Sequence, residues 1–189
     1  MARCAPTALG LKFRRGCLNF ELGEFRLLMK FSEPNPVFMR RAIDEALAHL
    51  AAMEGGPFGV CLVRGDEVLA VAHNTVLKDQ DPTCHGETNA IRLAARKLGR
   101  YDLSGCEIYS TTEPCPMCFA AIHWARIDRL IYGTTINDAA RLGFNELTLG
   151  SGQMQELGRS PVAIYPGFLA DECRQLLTKW AQIPGHQVY

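Results

Sequence analysis

The spacing of apolar residues changes along the chain and predicts helices and strands in alternation. After Asn35, apolar residues recur every three or four positions up to Met53, which predicts a helix that Asn35 caps and Gly55-Gly56 ends. Two short apolar runs then meet at Gly65-Asp66 and predict a β-hairpin. The predicted strands are 58–63, 68–72, 106–111, 129–132 and 162–165, and the later predicted helices are 87–98, 116–126 and 168–181.

Strands that alternate with helices are typical of a layered α/β domain. The regular pattern begins after Asn35, whereas residues 1–35 follow neither period cleanly. Residues 143–158 are rich in glycine and are predicted to form a loop. We therefore divide the chain into an N-terminal extension of unknown role, residues 1–35, and one α/β domain, residues 36–189.

Composition and charge narrow the classes of partner. The chain has 189 residues, of which 48% are hydrophobic and 21% are charged, as expected of a globular domain. Its 20 Lys and Arg residues balance 20 Asp and Glu residues, so no basic excess favours a nucleic acid partner. No apolar run is long enough to cross a bilayer, so no membrane partner is expected. The 8 cysteines, without a recognisable secretory signal, indicate reduced thiols and a cytoplasmic protein.

Two short motifs stand at the starts of two predicted helices. His85-Gly86-Glu87 precedes the helix at 87–98, and Pro114-Cys115-Pro116-Met117-Cys118 opens the helix at 116–126. Each motif alone is weak, because Cys-x-x-Cys also occurs in redox proteins and structural zinc sites. Together they match the signature of zinc deaminases, a His-x-Glu followed by Pro-Cys-x-x-Cys.

The residue types fit the chemistry of a catalytic zinc. Such a zinc takes three protein ligands and keeps one position open for water, and His85, Cys115 and Cys118 supply three. The start of a helix favours thiolates through its dipole and free N–H groups. Zinc lowers the pKa of water to about 7. Glu87 is not needed as a ligand and is predicted to carry protons, a role worth about 10²–10⁴-fold in rate.

Two other interpretations of the same residues remain open. In a structural zinc site, Cys84 or Cys106 would be the fourth ligand, although Cys84 and His85 are adjacent and cannot easily both reach one metal. In a redox Cys-x-x-Cys motif, His85 and Glu87 would have no role.

Beyond these motifs, the chain resembles the cytidine-deaminase-fold superfamily over residues 36–189. The matching stretches are Gly56–Val60, Asp81–Thr83, His85–Glu87, Asn89–Arg92 and Glu113–Cys118. Ala121, Trp124–Arg126, Asp138–Ala140 and Gly143-Phe144 are similar to residues of the bacterial guanine deaminases of that fold. The resemblance implies a three-layer α/β/α domain with a five-stranded mixed sheet and a bound Zn²⁺. It also implies a homodimer whose C-terminal segment is exchanged between subunits.

The resemblance also implies a set of substrate contacts. They are Asn74 on the purine edge, Glu146 where the family has an aspartate, Phe58, Trp124 and Phe144 beside the base, and Tyr189 reaching the partner's active site. Each has a plainer alternative: a turn, a solvated loop carboxylate, core packing or a frayed terminus. Glu146 is one methylene longer than the family's aspartate, and Gly86 replaces a usual alanine, which predicts slack at the helix start.

These contacts favour a small-molecule nucleobase as the substrate, and guanine is the leading candidate. Guanine offers ring N–H groups to a carboxylate such as Glu146, whereas adenine has no proton at N1, and a site built for a hydrogen bond rejects analogues that lack it. Glu146 is also a candidate to relay a second proton. The competing functions are a tRNA adenosine deaminase, which needs a basic surface, a cytosine or cytidine deaminase, and a non-catalytic zinc module, for which Glu87 has no use.

Overall fold

A five-stranded mixed sheet, in the order β2-β1-β3-β4-β5, lies at the centre of the computed structural model, which describes residues 31–189. The strands are β1 Gly59–Arg64, β2 Glu67–His73, β3 Glu107–Thr112, β4 Arg129–Thr134 and β5 Ala163–Tyr165. β1 pairs antiparallel with β2 and β3, and β4 pairs parallel with β3 and β5. The sheet belongs to the unit Pro34–Tyr189. Most of the predicted extension, residues 1–35, lies outside the described residues.

Helices cover both faces of this sheet. They are α1 Pro36–His49, α2 Val76–Asp79, α3 Gly86–Leu98, α4 Pro116–Trp124, α5 Ile136–Ala140, α6 Ser151–Gly158 and α7 Ala170–Ala181, with a 3-10 turn at Leu50–Ala52. α1 packs on β1, β2 and β3, and α7 packs on β4. α3 packs on β1 and β2 and also against α4. The predicted three-layer α/β fold with a five-stranded mixed sheet is confirmed.

Alternate residues of β1 enter different cores, as the two-residue period of a strand requires. In β1, Val60 and Leu62 belong to the core beneath α3 and α4, whereas Cys61 and Val63 belong to the core beneath α1 and α7. All four side chains are at most 1% exposed. Full burial of such a side chain contributes about 1.5–3 kcal/mol, so the strand is held from both faces.

Helix α1 begins as predicted and ends earlier. The Asn35 side chain accepts a hydrogen bond from the Val37 N–H at 2.9 Å, and proline occupies the first helical turn. The α-helix stops at His49 and continues as the 3-10 turn, after which Met53 adopts a left-handed conformation with φ 49°. The chain therefore leaves the helix before Gly55-Gly56 is reached.

The predicted loop at 143–158 contains a helix, and two other short helices were not predicted. Helix α6 occupies the second half of that segment, and α5 begins at a capping box formed by Thr135 and Asp138. Within residues 31–189, every helix falls short of the length and apolar character that a membrane span requires.

Candidate active site

The two predicted motifs lie where α3 and α4 begin. His85 is the residue before α3, Cys115 is the residue before α4, and Pro116 occupies the first turn of α4. Both residues adopt extended backbone, so each helix begins directly after a candidate ligand. Cys118 then lies in the first turn of α4 and is fully buried. The free N–H groups of these helix starts favour thiolates.

The three candidate ligands converge on one point. The ligand atoms of His85, Cys115 and Cys118 all lie within 4.8 Å of one another, and the Cys115 Sγ is 3.7 Å from the His85 Nδ1. One nitrogen and two sulfurs form a donor set that zinc accepts. In the described part of the chain, this group includes neither Cys84 nor Cys106. This arrangement fits a zinc with an open position better than a structural site closed by a fourth cysteine.

The sulfur atoms of this group are electrostatically coupled. The hydrogen bond from Cys118 lowers the pKa of the Cys115 thiol to about 4, and it raises the pKa of Cys118 because Cys118 is the donor. Burial opposes ionisation of both thiols. A lowered thiol pKa at Cys115 suits a metal ligand, because the thiolate is the ligand form of cysteine.

Glu87 lies beside this group, in the first turn of α3. It is 6% exposed, and the Ser110 hydroxyl donates a hydrogen bond of 3.3 Å to its Oε1. Burial raises the pKa of its carboxyl, although the charge of His85 opposes the shift. A raised carboxyl pKa makes the protonated form easier to reach, which suits a group that must take up and release a proton.

Gly86 permits a close approach of α3 to the sheet. A Cβ at this position would lie 3.1 Å from the Val60 Cγ2 and 3.2 Å from the Phe58 carbonyl oxygen. The sequence predicted slack at Gly86, whereas the structure shows the helix start packed directly on β1. This packing holds Glu87 against the sheet, where Ser110 of the central strand β3 contacts it.

A cavity of about 250 Å³ opens beside the candidate ligands. Its lining residues are Phe58, Pro82, His85, Cys115, Pro116, Met117, Phe144, Asn145, Glu146, Leu147 and Tyr189. The structure therefore brings Phe58, Phe144, Glu146 and Tyr189 together in one cavity, with Tyr189 coming from the same chain rather than from a partner subunit. Asn145 and Leu147 were not predicted, and their only sequence signal is that they flank Glu146.

Aromatic side chains form one wall of the cavity. The Phe144 ring meets the Phe58 ring edge-on at 5.0 Å and the Tyr189 ring edge-on at 5.6 Å, and it stacks on Trp180 at 5.0 Å. The Tyr189 hydroxyl accepts a hydrogen bond of 3.1 Å from the Gly56 N–H. The terminal tyrosine thus lies in the cavity of its own chain. A homodimer and an exchange of this segment between subunits stay predictions.

Two polar side chains near this wall, those of Glu146 and Asn74, were predicted to contact the substrate. Glu146 is half-buried, and burial raises the pKa of its carboxyl to about 7, with the charge of Cys115 adding to the shift. Asn74 is 1% exposed and lies against Gly55; its Oδ1 accepts from the Val76 N–H at 3.1 Å. The Asn74 Nδ2 is buried without a hydrogen-bond partner.

Asn74 is absent from the lining of this cavity, and so is a second predicted contact, Trp124. It ends α4 with its indole 76% exposed and edge-on to His123 at 5.7 Å. Six residues separate it from Cys118, and at about 100° per residue the two side chains leave the helix on different sides.

A second group of potential ligands is an ion network. The ligand atoms of Glu45, His49 and His73 lie within 4.8 Å of one another. His73 uses both ring nitrogens, with 2.8 Å to the Glu45 Oε1 and 2.9 Å to the Glu54 Oε2. The rings of His49 and His73 are stacked at 3.7 Å, so their nitrogen lone pairs lie in parallel planes and do not meet at one ion. This network connects Glu54, which precedes Gly55-Gly56, to His73, which precedes Asn74.

Comparison with known proteins supports this geometry. Residues 32–134 match the model of the cytidine and deoxycytidylate deaminase zinc-binding region. The guanine deaminase of Bacillus subtilis is 42% identical over 109 residues, which are 58% of this chain and 70% of that protein. The tRNA-specific adenosine deaminase of the same organism is 32% identical over 144 residues, which are 75% of this chain and 85% of that protein.

A solved structure is similar to most of this chain. The guanine deaminase from Nitrosomonas europaea has a TM-score of 0.71 at 28% identity, and the match covers 77% of this chain and 84% of that one. The family model spans more than half of the 189 residues, and it includes both motifs that open α3 and α4. The chain belongs to the cytidine and deoxycytidylate deaminase family of zinc-binding deaminases.

Proposed function

We propose that this deaminase acts on a free nucleobase and converts guanine and water to xanthine and ammonia. The observation that carries this proposal is the half-buried carboxylate of Glu146 in the same cavity as His85 and Cys115. A carboxylate there accepts hydrogen bonds from the N–H groups at one edge of guanine. Adenine has no proton on N1, and cytosine is a smaller ring. A site built around such a bond discriminates strongly against analogues that lack it.

Tyr189 lines the cavity beside Asn74, which is not itself in the lining and is a second candidate contact. The Asn74 Nδ2 is buried without a partner, next to the glycine pair whose Gly56 N–H holds Tyr189. Guanine carries acceptors at O6 and N7, so a purine edge turned toward Asn74 would satisfy the donor. Phe58 and Phe144 provide apolar surface for the face of the base.

The carboxylates of Glu87 and Glu146 carry out the proton transfers. His85, Cys115 and Cys118 would hold zinc, which supplies a water of lowered pKa at neutral pH. Glu87 takes a proton from the attacking water and delivers it to N3 of the base while the C–O bond forms at C2. The amino group leaves with a second proton as ammonia, and the C–N bond breaks. That second proton comes from the new hydroxyl on C2, which becomes a carbonyl of xanthine, and Glu87 or Glu146 carries it to the amino group.

A substrate panel on the zinc-loaded protein tests this proposal. We expect ammonia release from guanine to exceed release from adenine, cytosine and cytidine by at least about 10²-fold in kcat/KM. An RNA hairpin that carries adenosine serves as the polymer control, because binding through the backbone falls steeply with salt. Faster release from cytosine, or salt-sensitive release from the hairpin, contradicts guanine as the substrate and leaves the deaminase family intact.

Removal of residues 185–189 should weaken catalysis more than folding. Tyr189 contacts Phe144 and hydrogen-bonds Gly56, so its loss opens the cavity to water. We expect kcat/KM to fall by roughly tenfold or more, and the melting temperature to change little because the sheet core is untouched. Tyr189→Phe, which keeps the ring, should lose about two- to tenfold, the value of one hydrogen bond. Unchanged kinetics in the truncated protein would show that the tail is not a lid.

A further inference from the structure

Glu113 occupies the turn between the sheet and the candidate metal site. It follows β3, and its backbone N–H donates to the Thr134 carbonyl oxygen at 2.8 Å, which extends the pairing with β4 by one residue. The next residues are Pro114 and Cys115. Glu113 is half-buried and belongs to neither proton transfer nor metal binding as described above.

The Glu113 carboxylate joins the starts of two helices. Its Oε1 accepts a hydrogen bond from the Ser151 N–H at 2.8 Å, and its Oε2 accepts from the Ile136 N–H at 3.3 Å. Ile136 opens α5 and Ser151 opens α6, so the carboxylate satisfies N–H groups that have no partner within either helix. A negative charge there is also favoured by both helix dipoles.

The surroundings of this carboxylate are adapted to it. Gly150 precedes α6, and a Cβ at that position would lie 2.9 Å from the Glu113 Oε1. Because Gly150 has no side chain to cap α6, the first N–H of α6 depends on Glu113, which is 38 residues away along the chain. The Ser151 hydroxyl in turn donates to the Pro114 carbonyl oxygen at 3.2 Å.

The segment between these two helices carries one side of the cavity. Residues 141–150 include Phe144 and Glu146, both of which line the cavity with His85 and Cys115. One carboxylate therefore holds the starts of the two helices on either side of this segment, α5 and α6, at the turn that presents Cys115. A shift at either end would move Glu146 relative to the metal ligands.

We propose that Glu113 is a positioning residue that sets the place of Glu146 and Phe144 over the metal site by holding the starts of α5 and α6. The inference rests on the proposed function, because it assigns Glu146 to the substrate. Glu113→Gln keeps the size of the side chain but offers one oxygen, and its NH₂ group faces one of the two N–H donors. One of the two hydrogen bonds that hold the helices beside residues 141–150 is then lost, while the positions of the zinc ligands do not change.

The first test measures the segment itself. In zinc-loaded Glu113→Gln protein, we expect amide hydrogen exchange of residues 141–151 to be about tenfold faster, with zinc content unchanged. Glu107→Gln, the same change at the opposite end of β3, is the matched control and should leave this exchange unchanged. Gly150→Ala keeps Glu113 but pushes its carboxylate away, so it should reproduce the effect if Glu113→Gln folds poorly.

The second test measures the coupling to Glu146. With guanine as substrate, Glu113→Gln should raise KM by about ten- to hundredfold, and this increase should shrink when Glu146→Gln is already present. An equal increase in both backgrounds overturns the positioning role, as does unchanged exchange of 141–151 in both variants. Faster exchange in a protein that does not turn over guanine rejects the proposed substrate and leaves the positioning role standing.

Discussion

Replacement of Glu87 by glutamine should reduce turnover by about 10²–10⁴-fold, the usual value of a positioned general acid–base. The variant keeps the size of the side chain, and its amide oxygen can still accept the hydrogen bond that Ser110 donates to Glu87. An amide cannot take a proton from water, so the loss falls on kcat rather than on KM. Steady-state ammonia release, measured with zinc content on the same sample, checks the prediction.

Two controls make this result specific to proton transfer. Glu87 is outside the group of ligand atoms that lie within 4.8 Å of one another, so the Glu87→Gln protein should hold as much zinc as the unaltered protein. Glu107→Gln removes a carboxylate from β3 outside the cavity and should retain full turnover. Loss of zinc from Glu87→Gln, or turnover within about threefold of normal, would assign Glu87 to the metal or to packing instead.

The candidate metal site could be predicted from sequence because its residues are local. His85 and Cys115 each precede a helix, and Glu87 and Cys118 lie in the first turn that follows. The motif therefore fixes the geometry within each half, and only the meeting of the two halves depends on the fold. The five strands were predicted to within one or two residues for the same reason, since each apolar run is one strand.

The parts that sequence reasoning missed depend on contacts distant along the chain. Helix α6 contains Gly152 and ends at Gly158, so local propensity argues against a helix there. It forms with its first N–H held by Glu113, a contact that no window of neighbouring residues contains. The family resemblance predicted Trp124 beside the base. Its position on α4 instead turns the indole to solvent, on a different side of the helix from Cys118.

The number of cysteines that hold zinc separates an enzyme from a structural zinc module. Cys118 belongs to the candidate group, whereas the Cys84 Sγ lies 3.5 Å from the Arg92 Nη1 and is outside it. Cys118→Ala should therefore lose zinc and all measurable turnover, because two ligands hold the ion far more weakly than three. Cys84→Ala should keep both, although Cys84 is next to His85 and is buried, as Cys118 is.

Chelation of the unaltered protein provides the reversible form of this experiment. Activity should fall to background and return on addition of zinc, while the circular dichroism spectrum remains that of a folded protein, because the cores on both sides of the sheet are built without the ion. The same addition should not restore Cys118→Ala. Loss of zinc from Cys84→Ala would instead indicate a closed site with four ligands, in which no position is left for the water that deamination requires.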